Sequence, residues 1–226
     1  MDGCLLCYHN ESLYILGMPQ ADDNIDVMHK FCLKTLTWVK LPQNGTKPIF
    51  HRKIFGTVIK NQLYCFEDPP NGTNKFREVR IFDFATNTWS KRTTKSKNQQ
   101  YPSDRFLESF TSSNRFGYMS GGKTPDSNTY SSEIWKIDLE TLEWLKLDYS
   151  LKSGCILHCM TILDDTYLYS YGACDSDSYE RDTFESFIVR PPTLYRYCLE
   201  HIRRSPNLTN NLESLPTSIM NELILN

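Results

Sequence analysis

The pattern SLYILGM at residues 12–18 returns three times, as QLYCFED at 62–68, FGYMSGG at 116–122 and YLYSYGA at 167–173. Tyr14, Tyr64, Tyr118 and Tyr169 fall in one column, at intervals of 50, 54 and 51 residues. A second column runs through FCLKTLTW (31–38), FDFATNTW (82–89) and IDLETLEW (137–144). Trp38, Trp89 and Trp144 stand 51 and 55 residues apart, each with a threonine (Thr35, Thr86, Thr141) three residues ahead of it. Two independent columns with one period define a repeat. A repeat near fifty residues restricts the chain to an array of one small supersecondary unit that cannot bury its apolar faces alone.

The unit itself is legible. An apolar run of β-formers, a polar break, a second run, a variable loop and two alternating segments joined by a short turn predict four antiparallel strands. The links KTLT (34–37), ATNT (85–88) and ETLE (140–143) are polar hairpin turns in which a threonine hydroxyl can bond nearby backbone. The tryptophan then opens the outermost strand, where its ring is expected to pack against the next unit. Units begin near residues 3, 50, 104 and 155. The last reaches FESFIVR (184–190), which suits a third strand, and Pro191-Pro192 then stands where a fourth should start. Proline does not fit a central strand.

Over roughly residues 3 to 190 these columns resemble Kelch repeats. The third unit carries the resemblance best, with Arg105 after Pro102, the diglycine Gly121-Gly122, Trp135 and Trp144. Elsewhere Gly17-Met18, Glu67-Asp68 and Gly172-Ala173 replace the double glycine. The resemblance implies an all-β propeller with about four recognisable blades, the last incomplete. The chain reads as a divergent or a shortened member of its family, followed by a small helical tail. The expected domains are residues 1–190 and 191–226.

In the tail the period changes. Leu194, Tyr197, Cys198, His201 and Ile202 lie at i, i+3, i+4, i+7 and i+8, one face of a helix. Pro191 and Pro192 suit its entrance, and Arg203 and Arg204 suit the negative end of its dipole. Leu215-Pro216 opens a second helical segment with Ile219 and Leu223 stacked at i, i+4. The spelling of TLYRYCLEHI (193–202) resembles the BC box that binds elongin C. LPTSIMNEL (215–223), thirteen residues on, resembles the cullin box that selects cullin-2. Kelch proteins ending in this pair are similar to substrate receptors of cullin-RING ubiquitin ligases. The resemblance implies a non-catalytic adaptor without cofactor. Leu194, Cys198, Ile202, Leu215, Pro216, Ile219 and Leu223 would meet the elongin B–elongin C pair and cullin-2. The propeller would hold a client protein by its C-terminus. The other reading is an interaction scaffold without ligase function, whose tail helices only cap the propeller.

A client carboxylate needs fixed cations at one propeller mouth, with the arginine fork best suited. Arg105 opens the inner strand of the third unit, and His51 and Arg52 occupy the corresponding point of the second. No G-x-S-x-G, phosphate-cradling glycine loop or H-E-x-x-H occurs. Cys4 and Cys7 form a C-x-x-C, and Cys155, His158 and Cys159 a second cluster, but 148 residues separate Cys7 from Cys155. Both clusters sit in apolar strand runs, where residues three apart face opposite sides, so the eight cysteines are read as reduced buried thiols rather than zinc ligands. A net charge of −2 recruits neither nucleic acid nor anionic lipid. The apolar runs are too short to span a membrane, and MDGCLLCY lacks a basic segment ahead of its apolar run, so a cytoplasmic or nuclear location is expected.

Overall fold

The computed structural model describes residues 4–17, 27–48, 55–66, 74–125, 129–173, 181–204, 216, 217 and 219. They form four β-sheets, one per sequence repeat, the blades of a propeller; within each blade consecutive strands run antiparallel. The first holds β1 (Leu5–His9), β2 (Ser12–Gly17), β3 (Val27–Cys32) and β4 (Thr37–Leu41) in sequence order. Between it and the second lies the two-residue β5 (Asn44–Gly45). The second blade is β6 (Phe55–Ile59), β7 (Gln62–Phe66), β8 (Glu78–Asp83) and β9 (Thr88–Thr93). After β10 (Lys95–Ser96) come β11 (Ser109–Ser112), β12 (Phe116–Ser120), β13 (Glu133–Asp138) and β14 (Glu143–Ser150) of the third. The fourth has three strands, β15 (Cys159–Leu163), β16 (Tyr167–Ala173) and β17 (Arg181–Ile188), before helix α1 (Leu194–Arg204). Pro191-Pro192 thus falls between the last described strand and the helix, as the strand count required.

The short segments β5 and β10 are straps. Each leaves one blade and pairs in parallel with the outermost strand of the next: β5 with β9, β10 with β14. Gly45 makes the first strap possible. Its φ is +77°, and a Cβ there would lie 2.3 Å from the Trp89 carbonyl oxygen.

Period-two alternation gives each middle blade two apolar faces. In the second blade the register aligns Val58, Leu63, Phe82 and Trp89 in one row across four strands. That row packs on Tyr14, Leu16 and Met28 of the first blade. The opposite face, with Tyr64, Phe66, Val79 and Ile81, packs on Ile137 and Trp144 of the third. The recurring geometry extends to the indoles. Trp89 Nε1–H donates to Gln43 Oε1 at 2.7 Å, and Trp144 Nε1–H to the Phe76 carbonyl at 3.0 Å. Trp89 and Trp144 therefore anchor their blades to the preceding unit, not the next. The reason is parity: the tryptophan shares its side of the sheet with Leu63 and Phe82, or with Gly117 and Ile137, and that side faces backwards along the array.

The chain divides into two compact units. One comprises residues 1–161 and 169–185, the other residues 162–168 and 186–226. Among the described residues, Cys4, Cys7, Cys32, Cys65, Cys155, Cys159 and Cys198 form no disulfide; only Cys65 and Cys155 are buried, whereas Cys4, Cys159 and Cys198 are exposed, against the expectation of buried thiols. Burial pushes the Cys7 thiol up to about 12 and raises Cys65 as well, which keeps both protonated and unreactive. No group of three or more His, Cys, Asp or Glu side chains suited to a metal ion occurs among the described residues.

Candidate functional site

Where the third blade meets the fourth, the diglycine explains itself. Gly121 and Gly122 have φ of +65° and +94°. A Cβ on Gly121 would stand 2.4 Å from His158 Cε1, and one on Gly122 3.0 Å from Arg105 Cδ. Glycine here lets two inner-strand side chains lie against the backbone. Gly122 N–H donates to the Cys155 carbonyl at 2.8 Å, tying the two blades together.

Arg105 is fully enclosed, its side chain 0% exposed. Nε–H donates to the Ser103 carbonyl, one terminal nitrogen to the Gly121 carbonyl and Ser131 Oγ, the other to Ser103 Oγ and Glu133 Oε2. All five guanidinium donors are engaged within the chain. Glu133 also accepts from Trp135 Nε1–H at 3.0 Å and Lys146 Nζ at 2.7 Å. Burial alone would raise its carboxyl, but these donors and the Arg105 charge outweigh burial and hold it at about 2. A second buried pair, Lys75 and Glu108 at 2.6 Å, touches this network, with Lys75 Nζ donating to the Arg105 carbonyl at 3.4 Å; Asp104 fixes that loop by accepting from the Asn74 and Lys75 backbone N–H groups. Ser120 Oγ and His158 Nε2 are 2.8 Å apart and both buried, so this serine–histidine contact braces two blades rather than meeting solvent.

With its charges turned inward, this end presents leucines. Leu107 and Leu157 both take left-handed φ, 61° and 59°. Both are exposed, Leu157 by 66%, and Leu157 N–H donates to the Leu107 carbonyl at 3.3 Å. Bulky residues with positive φ are uncommon outside constrained sites. The sequence did carry a signal for them: they stand 50 residues apart, one repeat period, just before Glu108 and His158. His51 and Arg52 lie outside the described residues.

The second candidate surface belongs to the tail unit. Thr193 caps α1, its Oγ1 accepting from Arg196 N–H at 3.2 Å and its carbonyl from Tyr197 N–H at 2.9 Å. His201, Arg203 and Arg204 occupy the last turn, favourable beside the negative end of the dipole. One face of α1 is held by the β15–β16 turn. Arg196 reaches Asp164 and, one turn on, Glu200, each at 3.5 Å, and Tyr167 O–H donates to the Glu200 carboxylate. Leu199 is buried. The opposite side carries the apolar stripe read from the sequence: Leu194 is 79% exposed, Tyr197 and Cys198 are exposed and Ile202 is half-buried. Further on, Pro216 is exposed and Ile219 is half-buried in a helical turn, its N–H bonded to the Pro216 carbonyl at 2.9 Å. Leu215 and Leu223 lie outside the described residues.

Residues 1–173 match the KLHDC2/KLHL20/DRC7 Kelch-repeats domain. The chain belongs to the Kelch-repeat family. Kelch domain-containing protein 10 of Rattus norvegicus is 22% identical over 209 residues, which cover 89% of this chain and 50% of the relative. The Homo sapiens form is likewise 22% identical, with 47% of its length covered. Kelch domain-containing protein 3 of Homo sapiens is 24% identical over 169 residues, 68% of this Kelch chain and 42% of its own. The chain spans about half the length of the curated relatives it matches. The solved "Structure of YjhT" superposes with a TM-score of 0.58 at 16% identity, over 76% of this chain and 59% of that one, a likeness of fold alone.

Proposed function

We propose that this Kelch protein is a substrate-recognition subunit of a cullin-RING ubiquitin ligase, with the propeller holding the client and the tail holding the ligase. The observation that carries the reading is the polarity of α1. A helix that only capped a blade would bury its apolar stripe. Here Arg196, Leu199 and Glu200 do the anchoring, and the stripe with Leu194, Tyr197 and Cys198 stands in solvent. Exposed apolar side chains aligned on one helix face suit an amphipathic docking mode, in which a leucine fills a partner pocket and a small cysteine permits close approach. In this reading Leu194, Cys198 and Ile202 meet elongin C, and Leu215, Pro216, Ile219 and Leu223 meet cullin-2. The chain itself does no covalent chemistry. It raises the local concentration of a client lysine beside the charged conjugating enzyme.

At the propeller the exposed Leu107–Leu157 pair offers an apolar rest for a client's terminal residues. Arg105 organises this mouth from within. Recognition of a client carboxylate then falls to His51 and Arg52. The test is co-expression with elongin B and elongin C. Wild-type chain should recover both subunits, and Leu194→Ala with Cys198→Ala should abolish recovery while leaving the circular dichroism spectrum unchanged. Recovery that is absent in the wild type, or indifferent to the double substitution, overturns the proposal and leaves the interaction scaffold.

A further inference from the structure

Residues 84–103 hold Lys91, Arg92, Lys95 and Lys97 and no acidic side chain, in a chain whose acids outnumber its bases 27 to 25. The stretch runs from the turn before β9 through the strap β10 to Tyr101 and the start of the third blade. Arg77 joins it across the ladder, its carbonyl accepting from Thr94 N–H at 2.8 Å. The Arg77 guanidinium lies over the Tyr101 ring, 3.6 Å from its centroid. Tyr101 is itself fixed. It is half-buried against the core between the second and third blades, and its O–H donates to the Thr94 carbonyl at 3.3 Å. Arg92 stands opposite Val79, which belongs to the same core. Both arginines therefore stand at one seam, and the strap with Lys95 and Lys97 leads from β9 to the outermost strand of the third blade.

Like charges side by side repel, and the usual remedy is to intersperse carboxylates. That remedy is missing here. Arg77, Arg92, Lys95 and Lys97 are exposed and make no ion pair among the described residues. The carboxylates at hand are engaged elsewhere. Glu78 pairs with Lys91 at 2.9 Å, and Asp104 accepts from the Asn74 and Lys75 backbone. Glu143 is aligned with Lys95 in the parallel pair but forms no ion pair with it.

We propose that this rim is an interaction surface for an acidic, extended segment of a protein partner. Stacking on Tyr101 holds the Arg77 guanidinium in one plane, with none of its N–H donors used among the described residues, so its fork is ready for a carboxylate. An extended chain sets alternate side chains roughly 7 Å apart on one side, so acids at every second position can meet successive cations. Nucleic acid fits less well. Domains that bind it have a pI above about 9, whereas the pI of this chain is about 6.2. None of these residues belongs to the tail unit, and the inference does not rest on the ligase reading.

Fluorescence anisotropy tests it, with the intact chain titrated into a labelled peptide of about ten residues, alternating glutamate and serine. The expected Kd is about 10–100 μM at low salt, weakening steeply as salt screens the charges, and the lysine–serine counterpart should not bind. Arg77→Glu with Arg92→Glu should weaken binding by about tenfold or more. Tyr101→Leu keeps every charge but frees the guanidinium, and should weaken it by about threefold. If the arginine variant misfolds by circular dichroism, Lys95→Glu with Lys97→Glu gives the same reading. No binding up to about 1 mM, or binding that both charge reversals leave unchanged, overturns the proposal. So does tighter binding of a single-stranded oligonucleotide, or of phosphatidylserine vesicles, than of the acidic peptide.

Discussion

Leu36, Asn87 and Leu142 occupy the same place in three successive hairpin turns, with φ of 54°, 52° and 59°. Asparagine tolerates this region, whereas a leucine there costs about 1–2 kcal/mol. The two leucines differ in what they gain. Leu142 is buried among Trp144, Ile137 and Phe76, and Leu36 is 70% exposed. Leu36→Asn should therefore stabilise the fold by roughly 1 kcal/mol, and Leu142→Asn should destabilise it by about 2–5 kcal/mol, both read by denaturant unfolding. The sequence showed polar links with a well-placed threonine but not the left-handed leucines, because positive φ leaves no composition mark when the residue is not glycine or asparagine. Glu133 supplies a second test at this scale. Its folded value of about 2 lies below the ordinary 4.5, so its contribution to stability is present above pH 4.5 and is lost as pH falls towards 2. Glu133→Gln should flatten the loss of melting temperature across that window. A slope equal to wild type would show that the Arg105, Trp135 and Lys146 donors do not act on this carboxyl.

At the scale of the element, the tryptophan column is the joint between blades. Trp144→Ala should cost about 3–5 kcal/mol, since it removes a buried ring and one of the two donors to the Phe76 carbonyl, the other being Thr94 Oγ1–H. Trp38→Ala should cost less than about 1 kcal/mol, because that ring is more than half exposed. The period identified the column and the strand it opens. It could not show which neighbour the ring touches, because that depends on the side of the sheet, and one residue of register reverses it. The straps β5 and β10 were also invisible, since two residues paired in parallel carry no periodicity.

For the whole molecule, the repeat count in the sequence was enough to place four blades, an incomplete last sheet and a helical tail. The candidate surfaces were legible only in part. The stripe Leu194, Tyr197, Cys198 could be read from its spacing, but its exposure depends on Arg196, Leu199 and Glu200 turning towards the β15–β16 turn. Arg105 illustrates the opposite case. Its position marked it as a carboxylate ligand, but its five intrachain hydrogen bonds go to four residues up to 28 positions away, beyond what spacing reveals. The most direct test of the account is calorimetric titration of the elongin B–elongin C complex into the intact chain. The account predicts micromolar binding or tighter, about −8 kcal/mol, and a loss of about tenfold or more for Leu194→Ala. No heat of binding, or an affinity that Leu194→Ala leaves unchanged, would contradict it.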